Sequence, residues 1–199
     1  MPEPERIREI VLPETLFAQI LEHGSRKLSG RYLPDEEQAP KAYGLLGGRA
    51  GEGKLTLTRV FPLRHNLRQA PLYKTYVDEL MDEVAVPSET SLDKRGWVSD
   101  PVEVLAAERE CDSCSSVLIG SYHMHRVPWA HDPDRDCCTE LDTRLADGSN
   151  LWTLILSMVQ PERPLLRAFF EGHNDLEAPV SRVPGEPLTD HCSPPGSTA

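Results

Sequence analysis

The chain lacks the features that mark several large classes of protein. It has no surplus of positive charge: 21 Lys and Arg stand against 32 Asp and Glu, a formal net charge of −11. Nucleic acid and anionic membrane both need a basic face, so neither is expected as the main partner. No apolar run approaches the roughly 20 residues of a membrane-spanning helix. The cysteines do not form an even, regularly spaced set. The five present are scattered, which argues against a secreted disulfide framework and leaves reduced thiols or a metal site. The opening Met-Pro-Glu-Pro-Glu-Arg has no basic-then-apolar leader pattern, so the expected location is cytoplasmic. What remains is 199 residues, 39 % of them hydrophobic, enough for one core.

The eighteen prolines punctuate the rest. Residues 1–11 are charged and Pro-bearing and read as a loose lead-in. Leu16, Phe17, Ile20 and Leu21 form the apolar stripe of a helix expected from Pro13 to His23, with Pro13 at its first position and Gly24 as its C-cap. Tyr43 to Gly48 and Lys54 to Phe61 predict a hairpin across the Gly-rich turn between Gly47 and Gly53. Leu72, Tyr73, Tyr76, Val77, Leu80, Met81 and Val84 make the clearest helical stripe. Residues 86–98 follow as a polar insertion, and Ser99 or Asp100 caps a helix with Pro101 in its first turn. Val117–His125, Leu151–Val159 and Pro164–Phe170 read as strands. From His173 on, the composition is Pro, Gly, Ser and acids, a disordered tail by expectation. Helices alternate with strands, so the class is α/β or α+β.

Chemistry concentrates between His123 and Asp142. His123 and His125 end an apolar strand, where residues two apart share a face and two imidazoles can converge on one ion. After them come His131, Asp132, Asp134, Asp136, Cys137, Cys138 and Asp142. A catalytic zinc takes three protein ligands and keeps one position open, which two strand histidines and one carboxylate would satisfy. Cys111-Asp-Ser-Cys114 with Cys137-Cys138 is a candidate second zinc site, free thiols being the plainer reading. Zinc deaminases need His-x-Glu and a downstream Pro-Cys-x-x-Cys, and this chain has neither.

The strand Ile119-Gly-Ser-Tyr-His-Met-His, the stretch Pro40-Lys-Ala-Tyr-Gly-Leu-Leu-Gly-Gly, the run Val60-Phe-Pro-Leu-Arg-His-Asn66 and the strands Leu154-Ile-Leu-Ser-Met-Val and Leu166-Arg-Ala-Phe-Phe together resemble the JAMM/MPN metalloprotease family over residues 12–172. The resemblance implies a single α/β domain, a curved mixed β-sheet flanked by helices, between the lead-in and a C-terminal tail at 173–199. It implies Zn²⁺ held by His123, His125 and an Asp. Thr139-Glu-Leu-Asp142 matches the family's Ser/Thr-x-x-Asp at a helix start, which makes Asp142 the ligand and gives Thr139 the role of the site hydroxyl near the oxyanion. Asp136 is the alternative ligand, because it keeps the family's shorter distance from His125. The implied reaction is hydrolysis of an isopeptide or peptide bond at the C-terminal tail of a ubiquitin-like or sulfur-carrier protein. Two positions depart from the pattern. Arg126 stands where the family has Pro. Lys41 stands where it has the general-base Glu, so Glu36 or Glu37 would have to supply the carboxylate. The other reading is a catalytically silent MPN-fold module that binds a protein partner.

Overall fold

The computed structural model describes residues 6–185. Eight strands form one mixed sheet in the order β7-β6-β5-β4-β2-β3-β1-β8. They are β1 (Glu9–Pro13), β2 (Tyr43–Gly51), β3 (Lys54–Pro62), β4 (Val117–His125), β5 (Trp152–Ser157), β6 (Leu165–Phe170), β7 (Glu177–Ala178) and β8 (Val180–Val183). Four helices accompany them: α1 (Glu14–Leu28), α2 (Pro71–Val84), α3 (Pro101–Ser113) and α4 (Glu140–Ala146). β1 runs parallel to both β3 and β8, and β4 runs parallel to β5. The remaining pairs are antiparallel. β6 also approaches β8, so the sheet curls until it is nearly closed, like a barrel. The architecture is a mixed α/β single domain.

The core lies between α1 and the concave face of the sheet. Leu16 and Ile20 of α1 pack with Leu12, Leu46, Leu55, Tyr122, Leu154 and Leu156. The expected helix is real but longer. Pro13 is its N-cap and Gly24 lies inside it. That glycine admits close packing rather than ending the helix: a Cβ there would sit 3.0 Å from Leu156 Cδ2. On the opposite face α3 covers β2, through Leu45, Leu63 and Ala107 with Tyr43 and Trp97 at the margin. Asp100 caps α3, accepting from Val102 N at 2.8 Å.

Two expectations at the chain ends are corrected. Part of the supposed lead-in is β1, whose Ile10 and Leu12 are buried while Glu9 and Val11 face outward. Part of the supposed tail is β7 and β8. β8 pairs with β1 from Ile10↔Val180 to Pro13↔Val183, so the two ends of the domain complete one edge of the sheet. Residues 186–199 of the expected tail lie outside the described residues. The hairpin of β2 and β3 is tighter than expected, turning at Glu52 and Gly53 rather than across the whole Gly-rich stretch. In α2 only Val77, Leu80 and Met81 of the predicted stripe are buried; Leu72 and Tyr76 stay 79 % and 60 % exposed.

Candidate metal centre

Alternation along β4 sends neighbouring side chains to opposite faces. Tyr122 and Met124 enter the core under α1, and His123 and His125 take the other face. There Asp142, in the first turn of α4, meets them. His123 Nε2 lies 3.1 Å from His125 Nε2 and 3.1 Å from Asp142 Oδ1, and His125 Nε2 lies 3.5 Å from Asp142 Oδ2. Ligand atoms each about 2.0–2.1 Å from a tetrahedral zinc are spaced roughly 3.3 Å apart, so the three side chains have the spacing of a ligand set without rearrangement.

Local chemistry fixes each member. His125 Nδ1 faces the backbone carbonyl of Arg135 at 2.9 Å. That carbonyl can only accept, so Nδ1 carries the hydrogen and the Nε2 lone pair is left for an ion. Arg135 adopts a left-handed backbone, φ 51°, and Asp132 Oδ1 accepts from its N–H at 2.9 Å, which holds the loop in place. Asp142 is held by a capping box at the start of α4. Its Oδ2 accepts from Thr139 N at 2.7 Å and Thr139 Oγ1 at 2.8 Å, while Thr139 Oγ1 accepts from Asp142 N at 3.2 Å. The Thr139 hydroxyl hydrogen is therefore spent on orienting Asp142. His123 stacks on Tyr43, ring centroids 6.1 Å apart, and Tyr43 stacks on Trp97 at 5.6 Å.

Burial would push the Asp142 carboxyl up, but the imidazoles of His123 and His125 outweigh it and hold the group well below the ordinary range. Burial lowers His125, against the opposing pull of Asp142. Both directions favour the forms that bind a metal: an ionised carboxylate and a neutral imidazole.

The other residues singled out in the sequence fall elsewhere. Asp136 is not in the cluster. It pairs with Arg167 Nη1 at 3.2 Å. Glu36 cannot swing in, because its side chain is 1 % exposed and bonded to Arg26, with Lys27 Nζ 3.5 Å away. Glu37 is pinned by its backbone. Its N–H donates to Arg64 O at 2.7 Å and its carbonyl accepts from Lys27. Lys41 does line the cleft that opens from the triad. Burial lowers its pKa, Glu37 opposes, and Arg68 and Arg126 add to the lowering. No cysteine joins a metal-capable group among the described residues. Cys111 packs beneath Gly47, and burial pushes its thiol up to about 11. Cys137 and Cys138 pack with Ile155 and Phe169. A second group, Asp147, Glu171 and His173, lies at the surface.

Two residues important to the site were not legible as such. Arg135 acts through a backbone carbonyl, which any residue type can supply. Asn66 lies outside the cluster, yet it ties down the wall of the cleft. Its Oδ1 accepts from Val98 N and Arg68 N, each at 3.0 Å, and its Nδ2 donates to Gly96 O at 3.3 Å.

No protein-family model matches the chain, and no curated protein does. Among solved structures the chain is similar to the solution structure of protein DSY2949 from Desulfitobacterium hafniense, a structural genomics target. The identity is 24 %, the TM-score 0.59, and the match covers 92 % of this chain and 98 % of that one. The likeness concerns the fold. Among the described residues no helix is long and apolar enough to cross a membrane.

Proposed function

We propose that the chain is a metal-dependent hydrolase of the JAMM/MPN type that cuts a peptide or isopeptide bond at the C-terminal tail of a ubiquitin-like or sulfur-carrier protein. Zn²⁺ would be held by His123, His125 and Asp142. One observation carries the reading: two Nε2 atoms and a carboxylate converge at 3.1–3.5 Å in the lining of a cleft of about 790 Å³. When bound, the ion would supply Lewis acidity toward a carbonyl and activation of a water molecule. The protein supplies the orientation. The Arg135 carbonyl sets the His125 tautomer, Thr139 aims Asp142, and the cleft has the volume to take a chain end.

Proton transfer is the weak part of the machinery. The carboxylates lining the cleft are Glu108 and Asp142. Asp142 is committed to the metal, and Lys41 occupies the position that the resemblance gives to a general base. Losing such a group costs typically 10²–10⁴-fold, so turnover by the natural chain is slow. Lys41 is also what favours the second reading, a silent module that binds its partner without cutting it.

The two readings part on one experiment. Zinc-loaded protein and its Lys41→Glu variant are incubated with ubiquitin-like fusions carrying a C-terminal extension, and cleavage is followed by mass spectrometry. The hydrolase reading expects slow cleavage by the natural chain and at least ten-fold faster cleavage by Lys41→Glu. If zinc is bound and neither protein cuts any fusion, the binding module stands instead.

A further inference from the structure

The resemblance gives a developing oxyanion to a site hydroxyl, and the geometry of this chain takes that hydroxyl away. Thr139 Oγ1 spends its hydrogen on Asp142 Oδ2, at 2.8 Å. Negative charge that develops on a carbonyl oxygen beside the triad still needs a preorganised donor. Arg135 is placed to be one. Its backbone carbonyl lies 2.9 Å from His125 Nδ1, so the residue is fixed to one of the three side chains. Its own side chain lines the same cleft as His123, His125 and Asp142, and the residue is only 7 % exposed. The charge of Asp142 acts on the guanidinium, and the guanidinium in turn acts on His125, as expected of groups that share a poorly solvated wall.

The guanidinium is held but not satisfied. It lies on the Trp129 ring, with Cζ 3.5 Å from the centroid. Trp129 and Asp132 exchange two backbone hydrogen bonds, both at 3.1 Å. Asp132 then accepts from Arg135 N at 2.9 Å and from Arg135 Nη1 at 3.4 Å. This short loop therefore presents the side chain in one orientation. Nη1 is the only guanidinium nitrogen that meets an acceptor among the described residues, and Nε is buried without one. Arg26, by contrast, gives both of its terminal nitrogens to Glu36. A buried cation with unused N–H groups is costly unless an acceptor arrives to meet them.

We propose that Arg135, laid on Trp129, is the electrophilic residue of the site, and that its unused N–H groups meet the oxygen of the scissile carbonyl. This deepens the hydrolase reading and rests on it. As the hydroxyl of water adds to the carbonyl carbon, the C=O π pair moves onto oxygen. The guanidinium stabilises that charge by hydrogen bonding and gives up no proton. When the pair returns, the C–N bond breaks, and the amine leaves with the proton that the water released. A guanidinium suits the task, because it stays charged at any working pH and keeps its donors in a fixed plane.

Binding of a tetrahedral mimic reads this role without turnover. The zinc-loaded full chain is titrated calorimetrically with N-acetyl-Gly-Gly amide and with the same peptide carrying a phosphinate in place of the scissile amide. The natural chain should prefer the phosphinate by about 100-fold or more. Arg135→Gln should weaken phosphinate binding about 100-fold and leave the amide unchanged. Arg135→Lys, which keeps the charge but not the fork, should recover part of the loss. Zinc per molecule is measured first and should stay the same in each variant, since His125 is supported by a backbone carbonyl that any residue supplies. Should Arg135→Gln lose its zinc or its fold, Trp129→Leu removes only the surface under the guanidinium and should show the same selective loss, smaller in size. A phosphinate preference that survives both Arg135→Gln and Trp129→Leu in zinc-loaded protein overturns the proposal and leaves the hydrolase reading intact. No phosphinate preference in the natural chain overturns the hydrolase reading, and the role of Arg135 with it.

Discussion

Tyr122 and His123 are adjacent in β4, and they feed two buried polar clusters of opposite character on the two faces of the sheet. On the core face Tyr122 bonds His23 at 2.7 Å, and Arg26, Lys27 and Glu36 close a compact ion network beside it. Both cations meet one carboxylate, and Lys27 also donates to the Glu37 carbonyl. On the other face His123, His125 and Asp142 present their ligand atoms to one another at an open cleft, and among the described residues the cations Lys41, Arg95 and Arg126 have no carboxylate partner and the N–H groups of Arg135 Nε and Trp97 Nε1 no acceptor. The first cluster pairs its charges within itself, leaving only His23 Nε2 without a partner among the described residues, and holds α1 and the following loop onto the sheet. The second leaves donors that no described residue meets. A buried polar group alone does not mark a site; what marks it is whether the neighbours finish the pairing.

The comparison breaks most sharply at Glu36. Glu36→Gln removes the buried carboxylate shared by Arg26 and Lys27, leaving Arg26 only the exposed Glu22 at 3.8 Å and Lys27 no ion-pair partner among the described residues, and an uncompensated buried charge costs about 3–5 kcal/mol. Urea unfolding should show a loss of that order. Zinc bound per folded molecule should not change, because no member of the triad contacts the network.

The next effect is a pH dependence from His23 in the core cluster. Burial, reinforced by Arg26 and Lys27, lowers His23 to about 4 from an ordinary 6.5. The folded protein keeps this imidazole neutral while the unfolded chain takes up a proton below about pH 6.5. The contribution is therefore complete above pH 6.5 and is lost as the pH falls toward 4. Between pH 7 and pH 5 it amounts to about 2 kcal/mol. His23→Gln should flatten that part of the stability profile.

A smaller effect separates the two acidic candidates. Asp142→Asn should weaken zinc binding by about 10–100-fold and cost roughly 1 kcal/mol through the capping box. Asp136→Asn loosens the contacts with Arg167 and Cys137, none of them in the triad, and should leave zinc affinity unchanged. Competition with a fluorescent zinc chelator reads both.

What the sequence shows of this molecule follows from the range of the interactions involved. The two histidines share a strand face because the period of a strand is two. Thr139 and Asp142 meet because a capping box spans three residues. These are local rules, and the ligand candidates could be read without a fold. Choosing Asp142 over Asp136 is a tertiary matter, since it depends on Arg167 of β6 drawing Asp136 away. The ends of the domain were opaque for the same reason. β1 and β8 are five and four residues long, too short to show a period, and they are strands through pairing with distant segments, β1 with β3 and β8, and β8 with β1. Leu72 and Tyr76 fit a helical stripe, but no described residue covers them.

The central claim is that His123, His125 and Asp142 hold a metal ion with one face open to the cleft. An anomalous difference map at the zinc edge, from a crystal of the full chain grown with zinc, tests it most directly. The account predicts one strong peak about 2.0–2.1 Å from both Nε2 atoms and within about 2.2 Å of an Asp142 oxygen, its remaining position turned toward the cleft. A map with no peak there, or with its strongest peak at Asp147, Glu171 and His173, would contradict it.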